Sequence, residues 1–275
     1  MAFDLNNFVI DRVVRGIAVA QGENKNLGVA EGDVLFSINQ ITNPSLSCTS
    51  ESTDAVDALS VPIATFYRAK TAEFSAENAL FDMNLMAAQA GSTKKVATEG
   101  AAIVAPCFET IDIVAGTTTY NLAHKPVATP KVYVLKGDGT LGDPVVVDSN
   151  ASGTTIVIDT SAQTVKVAAG GYAEGSQLFF MYDYKADGTD KNGAVEVMNS
   201  AINFPVGCKF IMEILGCDVC DQTHLIYAYL IFPNAKLSPD FDWSIATDST
   251  HPFSLKANQD YCDKDKKLFS IIIPE

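Results

Sequence analysis

A mainly β fold is predicted, a β-sandwich or barrel with one flanking α-helix at about residues 75–90 and a small β-sandwich module inserted into it. Three observations carry this expectation. Only one stretch has a helical period; nearly everything else alternates apolar and polar residues or runs in short apolar segments rich in Val, Ile, Thr and aromatics. The texture changes near residue 107, becoming rich in Thr, Val and Gly, and changes back near residue 194. The chain of 275 residues is 47% hydrophobic, enough to bury a sizeable core in one large or two smaller domains.

Residues 7–20 read as a strand or arm, with Phe8, Ile10, Val13, Ile17 and Val19, followed by a polar, Gly-containing loop over residues 21–32. Val34 to Ile38 is a strand, and Ser45 to Glu51 alternates small polar and apolar groups. The stretch at residues 51–60 carries acidic residues and reads as an exposed loop. From residue 63 the pattern is again a half-buried strand, with Phe66, Arg68, Lys70 and Ala72 on one side and Thr65, Tyr67, Ala69 and Thr71 on the other. Ser75 then offers a helix N-cap, Phe74 a hydrophobic staple and Glu77 a first-turn carboxylate. Leu80, Met83, Met86, Ala87 and Ala90 recur at three- and four-residue steps, and Gly91 tolerates the left-handed C′ conformation.

Between residues 108 and 184 strands recur at short spacing, among them ETIDIV, KVYVLK, TTIVID and QLFFMYDY, separated by turn signals such as LKGDGTLGDP. The polar segment DGTDKNG at residues 187–193 closes this module. The more apolar strands that follow resume the first texture, including one around Phe241, Trp243 and Ile245. The expected organisation is a discontinuous core, residues 1–106 and 194–275, with residues 107–193 as the inserted module.

Asp and Glu number 33 against 19 Lys and Arg, for a formal net charge of −14 and a pI near 4.5. Such a surface is repelled by nucleic acid and anionic lipid, which disfavours specific binding to either. No signal-peptide core and no apolar run of roughly 20 residues is present, so a soluble protein made in the cytoplasm is expected. Six cysteines are too few for a disulfide scaffold of this length, and reduced thiols are the default.

No catalytic residues and no cofactor are predicted. Cys208, Cys217, Cys220 and His224 form a C-x8-C-x2-C-x3-H cluster whose soft ligands suit zinc, but Cys208 and Cys217 flank the strand-like KFIMEILG, and thiols packed in or beside strands explain them better. His124 and His251 adjoin prolines in turn-like settings. Asp183, Asp187 and Asp190 with Gly188 miss the spacing of a calcium loop and read as a polar turn.

The strand and helix of residues 63–91, IATFYRAKTAEFSAENALFDMNLMAAQAG, and the C-terminal IFPNAKLSPDFDWSIATDSTHPFSLKANQDYCDKDKKLFSIIIPE together resemble the major tail (tail tube) proteins of long-tailed bacteriophages. The inserted segment resembles the Ig-like β-modules of phage structural proteins. The resemblance implies a non-enzymatic virion protein of the tail: six copies join their sheets into a ring, and stacked rings form the conduit for DNA ejection. It also implies tape measure, tail terminator or baseplate proteins as partners, DNA passing without specific binding, and no membrane. Alternatives of other classes are a head-decoration or connector protein, and a carbohydrate-binding adhesive module using Tyr120, Tyr133 and Tyr172.

Overall fold

The computed structural model describes residues 5, 7–24, 28–259 and 264–274. It is built from strands with one short helix. In chain order these are β1 (Phe8–Ala20), β2 (Val34–Ile38), β3 (Ile41–Val56), β4 (Pro62–Asn78), α1 (Met83–Gln89), β5 (Lys95–Val96), β6 (Ile103–Asp112), β7 (Thr119–Asn121), β8 (Lys131–Leu135), β9 (Leu141–Pro144), β10 (Ile156–Asp159), β11 (Thr164–Val167), β12 (Gln177–Ala186), β13 (Val195–Glu196), β14 (Gly207–Asp218), β15 (Asp221–Leu237), β16 (His251–Ala257) and β17 (Ser270–Ile272). Two compact units result, Met1–Lys94 with Val197–Glu275, and Lys95–Glu196.

The first unit is an eight-stranded antiparallel sheet in the order β2-β1-β14-β15-β16-β4-β3, with β17 also pairing β15. Its two edge strands, β2 and β3, are consecutive and only two residues apart in the chain, so the sheet must roll until the end of β2 at Ile38 comes beside the start of β3 at Ile41, while the rest of both edges stays unpaired. Phe36 of β2, Phe74 of β4, Phe210 of β14, Phe232 of β15 and Phe253 of β16 meet inside the roll, with ring centroids 5.6 to 6.4 Å apart. Each buried ring of this kind stabilises by roughly 1.5–3 kcal/mol. Gly16 of β1 lies against this cluster: a Cβ there would sit 3.0 Å from the Phe210 ring and 2.9 Å from Ile41.

The helix differs from expectation. Ser75 does not cap it; β4 runs on to Asn78, because Ala72, Phe74, Ala76 and Asn78 are all buried and their two-residue spacing puts them on one sheet face. That period outweighs the local capping signal. Asp82 is the N-cap, accepting hydrogen bonds from the amides of Asn84 (2.9 Å) and Leu85 (2.7 Å). The helix ends as its sequence predicts, at Gly91 with φ 61°. The Gly91 amide donates to the Ala88 carbonyl and the Ser92 amide to the Ala87 carbonyl, the two bonds of a Schellman motif. A Cβ on Gly91 would come within 2.4 Å of the Phe204 backbone.

Three other readings are corrected. The stretch at residues 51–60 is a loop only at its end, since β3 continues to Val56. The segment around Phe241, Trp243 and Ile245 forms no strand; Trp243 stacks on Phe81 with centroids 4.3 Å apart, and Ile245 points to solvent. His251 is no turn residue but a buried position at the start of β16, where register with Asn78 of β4 places it.

The second unit has a four-stranded sheet, β6-β12-β8-β9, and a three-stranded sheet, β10-β11-β7, with β5 and β13 paired at its chain ends. Both larger sheets feed one core, from Val132, Leu178, Phe180 and Tyr182 on one side to Leu122, Ile156, Val165 and Val167 on the other. The β8–β9 connection turns at Gly139, with φ 82°, and Asp138 Oδ1 accepts from both the amide and the hydroxyl of Thr140.

Candidate assembly interface

The most exposed part of the first unit is a two-stranded arm. Pairing of β4 with β16 stops at Glu73, yet β3 and β4 continue as a hairpin from there to the turn between Val56 and Pro62. Every residue of β3 beyond Ile41, and β4 from Pro62 to Thr71, is exposed. At about 3.3 Å per residue, the roughly ten β4 residues of the arm reach about 33 Å.

Local chemistry makes this ribbon definite. Thr49 and Thr71 hydroxyls are 2.7 Å apart across the strands, and the Thr65 hydroxyl donates to Asp54 Oδ1 at 2.7 Å. At the tip, Asp57 Oδ1 accepts from the amides of Leu59 (2.8 Å) and Val61 (2.9 Å), while Ser60 takes the left-handed conformation with φ 64°. A bulge at Ala69, φ 46°, lets Ser50 pair with Lys70 and Glu51 with Arg68. The extra residue exchanges the faces of β4, so Arg68 and Lys70 do not share a side as the simple alternation implied.

What the arm presents is apolar. Leu59 is 84% exposed and Tyr67 74%, with Val56, Val61, Ile63 and Phe66 also exposed beside them. Consecutive Phe66 and Tyr67 point to opposite faces, so one core could never bury both. That adjacency is the sequence signal for a strand needing partners on two sides. A hairpin standing alone is marginal in water, and contiguous exposed apolar surface marks an interaction site. Both sheet edges add unpaired backbone: β2 pairs only β1, and β3 only β4.

The other candidates fall apart geometrically. Cys208 and Cys217 occupy opposite ends of β14, nine residues apart, which in a strand is about 30 Å. They cannot share one ion. Cys208 faces the core against Ala235, where burial pushes its thiol up to about 12; Cys220 is exposed in the β14–β15 turn, and His224 is exposed on β15. Cys262 lies outside the described residues. Among the described residues no group of three or more His, Cys, Asp or Glu is placed to hold a metal. His124 stacks on Tyr184 at 3.9 Å. Of the three tyrosines considered for adhesion, Tyr120 bonds the backbone of Val114 and Thr117, and Tyr172 donates to the Thr154 carbonyl. Both hydroxyls are committed inside their own unit. Asp187 likewise accepts from Thr189 and Asn192 within its turn, and these bonds hold its carboxyl below the usual range.

An arm of this kind, on a rolled sheet with two open edges, is suited to assembly. Residues 30–270 match the family model described as the YomU/Tube protein family, which covers most of the chain. This chain belongs to the YomU/Tube protein family. A search for similar curated proteins found no match. Membership makes the YomU/Tube chain a phage tube-like structural protein of the tail. None of the described helices is long and apolar enough to cross a membrane.

Proposed function

We propose that this chain is the subunit of a phage tail tube, six copies joining their sheets into rings that stack into the conduit for DNA ejection, with a structural and not a catalytic role. The observation that carries the reading is the β3–β4 arm, whose apolar residues have no partner within their own unit. Closing a ring pairs the open edges of β2 and β3, and stacking covers the arms. The net charge of −14 suits a conduit that DNA crosses without adhering. At the ends of such a tube the partners are a tape measure and a terminator or baseplate protein, and the inserted unit takes the place of an Ig-like decoration.

Negative-stain electron microscopy of the concentrated protein, with mass photometry at lower concentration, tests this. Sixfold rings or hollow tubes are expected. A monomer that persists both alone and with a tail-tip extract to nucleate it sinks the proposal.

A further inference from the structure

We infer that the arm tip of one copy seats in a specific cavity at the arm base of the next copy, so that the chain carries both halves of its own longitudinal joint. The inference rests on the tube reading and adds the site that receives the arm. The cavity, about 370 Å³, lies in the first unit and is lined by Phe204, Pro205, Leu237 and Pro239 together with Lys236 and Lys256. That volume falls within the range of roughly 300–1,000 Å³ found for ligand pockets. Phe204 is 62% exposed at its mouth.

Charge points to the occupant. Lys236 and Lys256 are direct cross-strand partners on β15 and β16, an arrangement that costs stability because like charges face each other. Glu73, the partner of Lys256 on its other side, supplies one carboxylate against two ammonium groups. The site is therefore locally cationic in a chain of net charge −14. The arm tip has the opposite character, with Asp54 near the end of β3 and Asp57 in the turn beside the exposed Leu59 and Val61, whereas the arm's own cations, Arg68 and Lys70, lie towards its base. An acidic apolar knob thus matches a basic apolar socket.

Length decides that the knob comes from another copy. The arm leaves the sheet beside Glu73, at the cavity, and its paired strands carry the tip about 33 Å away, so a chain cannot fill its own socket. The body strand β14 has 12 residues and spans roughly 40 Å. The arm is nearly as long as the body it would lie along. A second copy displaced along the arm by the arm's own length, about 33 Å, brings its own arm base, and hence its cavity, to the level of the first copy's tip. Repetition of that displacement gives an open stack and not a closed pair.

Two single variants, Leu59→Cys and Asn258→Cys, are mixed under assembling conditions and mildly oxidised, and the products are digested for mass spectrometry. Asn258 lines the cavity and is exposed. A disulfide requires Cα atoms closer than about 7 Å, so a peptide joining positions 59 and 258 reports the seat and nothing remote from it. That peptide is the expected result, and native thiols do not mimic it. Tubes that form without it overturn the seat while the tube reading stands; absence of any assembly overturns both. As a second readout, Lys236→Glu alone, which leaves Lys256 between two carboxylates and so adds no like-charge pair, is expected to raise the concentration needed for assembly at least tenfold with the monomer's melting temperature retained, and Asp54→Lys to restore part of it. An unchanged assembly concentration overturns the socket.

Discussion

His251 and Gln89 are among the few buried polar residues of the first unit, and they bond to each other. Gln89 Oε1 lies 2.8 Å from His251 Nε2, and the Gln89 amide donates to the Pro252 carbonyl at 3.1 Å, so helix α1 is held to β16 through one side chain. Phe81 stacks on the imidazole at 5.0 Å and Phe241 meets it edge-on. Nδ1 has no hydrogen-bond partner. Burial lowers the His251 pKa, opposed in part by the Asp82 carboxylate. The sign follows: the unfolded chain takes up this proton more readily, so stability is full above the unfolded value of about 6.5 and falls as pH drops below it. Thermal melts from pH 8 to 5 should show a loss across that window that His251→Gln lacks. Gly91 is the other sensitive position. Gly91→Ala combines a left-handed φ with a backbone clash at Phe204 and is expected to cost at least about 2 kcal/mol in chemical denaturation, far more than an ordinary helix-end substitution.

At the scale of elements, the helix and the arm show how one pattern is read against another. Residues 74–77 carry a staple, an N-cap and a first-turn carboxylate, but three consecutive inward positions of β4 bury Phe74, Ala76 and Asn78 in the sheet, and that burial outweighs a cap that contributes about 1 kcal/mol. The arm is the reverse case, an element whose apolar residues gain nothing within their own chain. Leu59→Asp is therefore expected to leave the monomer's melting temperature unchanged within about 1 °C, since the side chain is already in water, while abolishing or strongly weakening assembly followed by light scattering. A drop in monomer stability would mean that the tip is packed against its own unit.

For the whole molecule, two cores matter. The five phenylalanines at the centre of the rolled sheet belong to the first unit, and Phe180 with Leu178 and Ile156 to the second. Phe210 touches four other rings, so Phe210→Ala should destabilise its unit by about 3–5 kcal/mol. Hydrogen exchange should then show lost protection in β14–β16 with β6, β8 and β12 still protected; simultaneous loss would show that the cores unfold as one. The Tyr182 hydroxyl anchors the second core, donating to Glu109 at 2.6 Å and accepting from the His124 amide at 3.1 Å, and burial raises its pKa.

The sequence by itself determined that the fold is mainly β with one helix, that this helix ends at Gly91, and that the family is one of phage tubes. The first two follow from period and glycine placement, which are local or additive along the chain, and the third from the resemblance carried by residues 63–91 and the C-terminal segment. It also marked β14 and β15, whose apolar runs are long enough to be unmistakable. Only the tertiary structure decided where the helix begins, because that choice pits a cap against burial on a face that other strands supply. It alone turned the acidic stretch after Glu51 into strand and tip, separated Cys208 from Cys217 by the length of β14, and buried His251 beside Gln89. The arm shows the division most clearly. Alternation in β3 and β4 fixes that they are strands, but whether a strand face meets its own core or solvent depends on where neighbouring β16 ends, and that boundary lies almost two hundred residues away in the chain.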